Sequence, residues 1–318
     1  MIVSLERAGL PAPPAGGSVV SVGVFDGVHL GHQAILAENV AQSAALGAAA
    51  TVVTFRHHPK GVLLGRAPRT LTSLEHRLEL FRRAGISHTV ALTFDEDLKN
   101  VPADSFAREF LGSRLGARRF VLGFDSKFGR GREGTPERLR EWGLDVVVVT
   151  KVLVSDRPVS STAIREAVEL GDLDGAARML GRPVAVYGDV VAGDGRGRSI
   201  GFPTANLDLH HELHPPPGVY ACRARIVRGG PADLAEQGRR FPAVTNVGFR
   251  PTFTKSMEAS AGAPLVEVHL LDFEGDLYGR HLELEFHAFL RAERRFPDLD
   301  SLRAAIAQDV ERSRALLR

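Results

Sequence analysis

The chain has 318 residues, of which 44% are hydrophobic and 25% charged, and its net charge is +2. That length favours two domains, each able to bury a core, and that charge does not by itself point to a nucleic-acid or membrane partner. Lysine occurs only at positions 60, 99, 127, 151 and 255, so arginine, whose guanidinium suits bidentate phosphate contacts, supplies most of the 40 basic residues.

From residue 18 to 180, short β-rich runs alternate with helical patterns. The predicted strands are SVVSVGV (18–24), TVVTF (51–55), HTVALTF (88–94), RRFVLGF (118–124) and DVVVVTKVL (145–153). Between them lie the helical segments HQAILAENVAQSAAL, SLEHRLELFRRAG, ADSFAREFLGSRLG and TPERLREWG, and a last helix is expected over 161–180. The runs are almost continuously apolar, as strands buried on both faces should be, and the alternation predicts a parallel, doubly wound sheet. Past Gly181-Arg182-Pro183 the texture changes. AVYGDVV, GVYACRARIV, FPAVTNVG, LVEVHLLDF and HLELEFHAFL are short, and several alternate with period two, as Val266, Val268 and Leu270 do against Glu267 and His269. This predicts an antiparallel barrel or sandwich. A terminal helix follows, with Leu302, Ile306 and Val310 at helical spacing behind Asp300 as its expected cap. The change of texture near 182–186 divides the chain into expected domains 1–182 and 183–318. Cys222 is the one cysteine, which excludes an intrachain disulfide or thiolate cluster. The opening MIVSLERAGLPAPPAGG lacks an apolar leader and no 18-residue apolar run occurs, so a cytoplasmic protein is expected.

Three stretches of the first half suit anions. Asp26-Gly27-Val28-His29-Leu30-Gly31-His32 falls at a strand-to-helix junction, where backbone N–H groups and the helix dipole favour a phosphate. His29 and His32, three apart, can share one face at the helix start and stabilise charge on a phosphate under in-line attack. A metal site using these histidines with His57 and His58, or plain helix capping, are the other readings of the motif. The loop 123-GFDSKFGRGREG-134 carries Lys127, Arg130 and Arg132 among glycines, and 160-SSTAIR-165 places three hydroxyls before Arg165.

In the second half, 193-GDGRGRSIGFPTAN-206 joins a glycine-arginine loop to Thr204 and Asn206. Two apart on an extended segment, these side chains point the same way, and a hydroxyl with an amide oxygen suits Mg2+ bridging nucleotide phosphates. A plain turn is the alternative. Glu267 lies on the strand face opposite the apolar positions, either as a solvated strand residue or as a general base.

GVFDGVHLGH, GFDSKFGRGREG and VSSTAIREAVELGDLDGAARMLGRP resemble the adenylyltransferase half of the bacterial bifunctional riboflavin kinase/FAD synthetase family. GDGRGRSIGFPTANL, GVYACRARI, TNVGFRPTF, VEVHLLDFEGDLYGRHLELEF and LRAERRFPDLDSLRAAIAQDV resemble its kinase half, in order, and the likeness runs from about residue 18 to 315. The resemblance implies a Rossmann-like nucleotidyltransferase domain with a parallel sheet, then a small antiparallel β-barrel with a terminal helix. It implies ATP-dependent phosphorylation of riboflavin to FMN and adenylylation of FMN to FAD with release of pyrophosphate. By the same resemblance His29 and His32 act on the ATP phosphates, with Gly23, Phe25, Asp26, Gly31, Asp125, Ser161, Thr162 and Arg165 as nucleotide-binding residues. In the kinase half, Gly195, Gly197, Gly201 and Pro203 would bind nucleotide, Thr204 and Asn206 Mg2+, and Asn246 and Arg291 the flavin, with Glu267 as base. Riboflavin, FMN, FAD, ATP, ADP and pyrophosphate are the implied partners of a monomer or weak homo-oligomer, without nucleic acid or membrane. Two departures stand out: His57 occupies the first proline position of the family's Thr-Phe-x-Pro-His-Pro, and Ser126 replaces an aromatic. Kinase activity alone, or a non-catalytic flavin- or nucleotide-binding regulatory module, are the competing functions.

Overall fold

The computed structural model describes residues 1–6, 10–192, 197, 200–209, 212–228, 238–249 and 264–318. The chain divides into two compact units, Met1–Ser161 with Met179–Gly181, and Thr162–Arg178 with Arg182–Arg318.

The apolar runs of the first unit form six strands: β1 (Ile2–Ser4), β2 (Ser18–Val22), β3 (Ala49–Phe55), β4 (His88–Leu92), β5 (Ala117–Gly123) and β6 (Val146–Val149). They make one sheet in the order β1-β4-β3-β2-β5-β6, with every pairing parallel. β2 and β4 are buried along their whole length, which explains their unbroken apolar character. β1 was not foreseen; three residues cannot declare a period, and the strand exists by pairing Ile2–Ser4 with His88–Val90. From β2 the chain winds through β3 and β4 to one side and through β5 and β6 to the other. The crevice at the carboxyl ends of β2 and β5 is therefore the switch point where such sheets bind ligands.

The expected helix over 103–116 is a single turn, Ala103–Ser105, running into a π-helix, Phe106–Arg114, with the Phe106 and Phe110 rings stacked at 5.2 Å in the core. The expected helix over 161–180 is two helices, Ser161–Glu169 and Leu173–Leu180. Gly171 takes φ +77° and the Asp172 carboxylate accepts the Gly175 N–H at 2.8 Å, so one helix ends and the next is capped within three residues. The predicted run 145–153 ends at Val149. Leu153–Val154 (β7) and Arg157–Pro158 (β8) instead pair as a small hairpin whose turn residues Ser155 and Asp156 have φ +49° and +60°.

The second unit closes β9 (Val184–Val191), β10 (Ala205–Asp208), β11 (Gly218–Arg228), β12 (Arg240–Phe249), β13 (Pro264–Leu270) and β14 (His281–Arg291) into a barrel. Its order is β10-β13-β12-β11-β14-β9 and its pairings are antiparallel. The period-two reading of β13 holds: Val266, Val268 and Leu270 are buried at 0%, 0% and 6% exposure, whereas Glu267 and His269 are half-buried on the outer face. The fully buried Phe286 contributes about 1.5–3 kcal/mol by transfer from water. A terminal helix, Leu299–Leu316, covers part of the outer face, where Val310 joins Val219, Val244 and Leu290. Its cap is Asp298 rather than Asp300: Asp298 Oδ1 accepts the Ser301 N–H at 2.7 Å, and that bond holds its carboxyl below the usual range. The buried face of the helix is Ala305, Asp309 and Ser313, one position away from the expected stripe, because Asp309 turns inward to Arg291.

Candidate functional site

At the end of β2 the chain makes a strained turn before the helix Leu30–Leu46. Phe25 and Val28 have φ +55° and +39°, a region that a β-branched residue rarely adopts, and Gly27 between them has φ +80°. Such strain persists only where the surroundings over-determine it. Here Phe25 and Val28 are 2% and 3% exposed and pack on Phe81 and Leu36. Asp26 Oδ1 accepts the N–H groups of Leu71 and Thr72 at 2.9 and 3.1 Å, and Thr72 Oγ1 accepts the Gly27 N–H at 2.9 Å. Arg77 ties the strand ends together, donating to the carbonyls of Val24 and Phe55 at 2.6 and 2.9 Å. Asp26, expected at the nucleotide, thus also braces the turn from within. Thr72 and Arg77 carry no motif signal and were not anticipated.

The turn delivers two imidazoles. His29 caps the helix, its Nδ1 accepting the His32 N–H at 3.3 Å, and the two rings stack with centroids 3.6 Å apart. An accepting Nδ1 leaves the neutral ring's proton on Nε2, so that atom donates. Helix capping and paired imidazoles are therefore one arrangement rather than alternatives. A Cβ on Gly31 would lie 3.2 and 3.3 Å from His29 Cε1 and Nδ1, so the glycine makes room for the ring; Gly23 does the same for Phe25. Gln33 secures the junction by donating to the carbonyls of Val28 and Leu180 at 2.9 and 2.7 Å.

β5, the neighbour of β2, leads into the glycine-rich loop. Asp125, Lys127, Arg130 and Arg132 are exposed, and Ser126 is half-buried. Phe128 anchors the loop in the core and pairs with Gly134, while the Arg130 N–H donates to Val101 O at 2.8 Å. Ser161 Oγ donates to Asp26 O at 2.9 Å, which brings the third anion-friendly stretch to the first. Thr162, exposed, and Arg165, half-buried, belong to the second unit. His57 is exposed, and His58 Nδ1 accepts the Lys60 N–H. Among the described residues no group of three or more His, Cys, Asp or Glu is placed to hold a metal ion.

On the barrel, strand register assembles the second constellation. Glu267 of β13 lies opposite Asn206 of β10 on one side and Asn246 of β12 on the other. Continuing across, Asn246 pairs with Val219 of β11, and Val219 with Arg291 of β14. Directly opposed residues share a face, so four expected site residues form one row on the outside of the barrel. Asn246 Nδ2 donates to Glu293 Oε1 at 2.9 Å, and a Cβ on Gly248 would come within 2.5 Å of that oxygen. Arg291 is held by Asp309, 3% exposed, through a 2.8 Å ion pair, with Phe296 against its guanidinium at 5.5 Å. Glu293 and Asp309 were not anticipated from the sequence.

Gly195 lies outside the described residues, as does most of the glycine-arginine loop. The chain curls at Gly197, whose carbonyl accepts the N–H groups of Ile200 and Phe202, and a Cβ there would come within 3.0 Å of Thr204 Oγ1. Gly201 takes φ +88°, and Pro203 and Thr204 are exposed. Beside Pro203 opens a cavity of about 490 Å3, bordered by Arg239, Phe241, His269, Asp272 and Phe273. Hydrogen bonding from Arg314, at 2.8 Å and closer, holds the Asp272 carboxyl below the ordinary carboxylate range.

A doubly wound sheet with paired imidazoles at its switch point, and a closed barrel with a carboxylate between two amides, describe a two-domain nucleotide-dependent transferase. Residues 13–163 match the FAD synthetase family and residues 180–317 the riboflavin kinase family. The chain is 34% identical over 304 residues to a bifunctional riboflavin kinase/FMN adenylyltransferase of Haemophilus influenzae, covering 94% of each chain. It is 37% identical over 314 residues to the protein of that name from Pseudomonas fluorescens, covering 96% of this chain and 94% of that one. A solved structure from Streptococcus pneumoniae, described as a macrolide-efflux protein, matches 99% of both chains with TM-score 0.80 at 28% identity. Among the described residues no helix is long and apolar enough to cross a membrane. The chain belongs to the bifunctional riboflavin kinase/FMN adenylyltransferase family. It phosphorylates riboflavin to FMN with ATP and adenylylates FMN to FAD.

Proposed function

We propose that the two reactions use two separate sets of residues, adenylyl transfer in an N-terminal domain over 1–182 and phosphorylation in a C-terminal domain over 183–318. The observation that carries the kinase assignment is the register that puts Glu267 between Asn206 and Asn246. Glu267 accepts the proton of the ribityl 5′-hydroxyl as that oxygen attacks the γ-phosphorus of ATP; the bond to the β-phosphate oxygen breaks and ADP leaves. Thr204 and Asn206 suit Mg2+: both offer neutral oxygens, and the glycine at 197 leaves space beside the Thr204 hydroxyl that a side chain would fill. When bound, the ion supplies charge neutralisation at the phosphates. Gly197, Gly201 and Pro203 shape the segment over the nucleotide, and the cavity beside Pro203 falls within the size range of small-molecule sites. Asn246 and Arg291 orient the flavin, the latter pre-set by Asp309.

In the first unit, an FMN phosphate oxygen attacks the α-phosphorus of ATP and pyrophosphate departs. His29 Nε2–H and the His32 ring stabilise the charge on the transferring group; the Gly23–Phe25–Asp26 turn holds them, and Asp125 and Ser161 border the same strand ends. The reading further places the protein, as a monomer or weak homo-oligomer without nucleic-acid or membrane partners, in the cytoplasm, where ATP is available to both steps.

Glu267→Gln tests the kinase assignment. FMN formation should fall about 10²–10⁴-fold while supplied FMN is still converted to FAD. FMN formation at the parent rate would point to another base.

A further inference from the structure

The β10–β13 ladder stops one residue short of where its register would carry it. Leu207, Asn206 and Ala205 pair with Val266, Glu267 and Val268, so Thr204 would next face His269, but the strand begins at Ala205. Pro203 has no N–H to offer a ladder. The Thr204 hydroxyl therefore sits on a segment outside strand pairing, where the Phe202 N–H donates within the local curl to Gly197 O at 2.9 Å. His269 takes the place of the missing pair: its Nδ1 lies 2.7 Å from Pro203 O, and its ring meets the edge of Phe202 at 5.6 Å and 86°. Because a carbonyl only accepts, Nδ1 carries the proton. A second tether, Arg303 Nε to Ile200 O at 3.1 Å, holds the segment nearer Gly197.

We infer that His269 is a positioning residue of the kinase site, fixing the Thr204 hydroxyl relative to Asn206 by clamping the Phe202–Pro203 segment to β13. The inference rests on the reading that Thr204 and Asn206 hold Mg2+. His269 lies two residues beyond Glu267 on the same outer face of β13, so one strand aligns the base directly and the metal-side hydroxyl through the clamp. Partners behind a metal ligand commonly control about 10–100-fold in affinity.

Calorimetric titration of the full-length chain with ADP, with and without Mg2+, provides the test. His269→Ala should weaken Mg2+·ADP binding by about 10–100-fold and change metal-free ADP binding far less. His269→Gln, whose amide N–H can reach Pro203 O, should recover most of the loss. His269→Phe keeps the ring against Phe202 without the donor and should behave as the alanine variant does, which preserves the test if alanine at this position prevents folding. Thr204→Ala separates the clamp from the metal site itself. If Thr204→Ala loses Mg2+·ADP affinity while His269→Ala and His269→Phe bind as the parent does, the clamp is wrong and the metal reading stands. If Thr204→Ala itself binds Mg2+·ADP as the parent does, the metal reading fails. Equal weakening of metal-free and Mg2+-bound ADP in His269→Phe would make the residue a packing element and overturn the inference.

Discussion

Asp26→Ala reaches both the stability of the first unit and its chemistry. Asp26 is 3% exposed, and Oδ1 accepts from Leu71 N, Thr72 N and Thr72 Oγ1 at 2.9, 3.1 and 3.3 Å. Truncation strands the two backbone donors; the hydroxyl can rotate. Each buried donor left without a partner costs about 1–3 kcal/mol, so the loss is about 4 kcal/mol, falling toward about 2 kcal/mol if water enters the vacated space. The same bonds hold a turn in which Phe25 and Val28 sit at φ +55° and +39°, and release of that strain moves the His29–His32 pair. Urea unfolding of the first unit gives the stability change, and FAD formation from supplied FMN gives the chemical one. Riboflavin phosphorylation by the barrel serves as the internal control and should stay at the parent level. A stability change below about 1 kcal/mol together with parent FAD formation would mean that Asp26 neither braces the turn nor sets the imidazole pair.

Other outcomes follow from the same geometry. Gly31→Ala adds helix propensity worth about 0.5–1 kcal/mol, yet its Cβ crowds His29 at 3.2 and 3.3 Å, so FAD formation should fall while thermal stability holds or rises. Loss of stability with parent activity would contradict that. Burial lowers the pKa of His88, at the head of β4, so the unfolded chain binds more protons than the folded one at mildly acid pH. Stability of the first unit should therefore be full above the ordinary histidine pKa of about 6.5 and decline as pH falls through and below it. Urea midpoints across that range check this, with a shallower decline expected in His88→Asn; identical declines would contradict the assignment. Asp309→Ala breaks the pair with Arg291, whose side chain is 21% exposed, and should cost about 2 kcal/mol, less than a fully buried pair. It should also raise the KM for riboflavin more than it lowers kcat; parent values for both would remove Arg291 from the flavin site.

The sequence declares what short-range chemistry controls. Apolar runs without alternation became the parallel strands, buried throughout in β2 and β4 and half-buried in the edge strand β6, and the period of Val266, Val268 and Leu270 fixed which way Glu267 faces. Of the two breaks in expected helices, one was hidden and one was not. The π-helix at Phe106–Arg114 has no periodic signature apart from its core packing, whereas Gly171-Asp172 is a visible stop-and-cap signal within the expected 161–180 helix. For the sites, residue types were legible but their neighbours were not. His29 and His32 announce themselves by spacing, but the bracing of their turn by Asp26, Thr72 and Arg77 spans about fifty residues of chain. Asn206, Glu267, Asn246 and Arg291 become one row only through strand register, which no local pattern encodes.

The separation of the two reactions is tested most directly by the products His29→Ala makes from riboflavin, ATP and Mg2+, resolved by chromatography. FMN should form at the parent rate with FAD formation removed. FAD at the parent rate, or loss of FMN together with FAD, would contradict it.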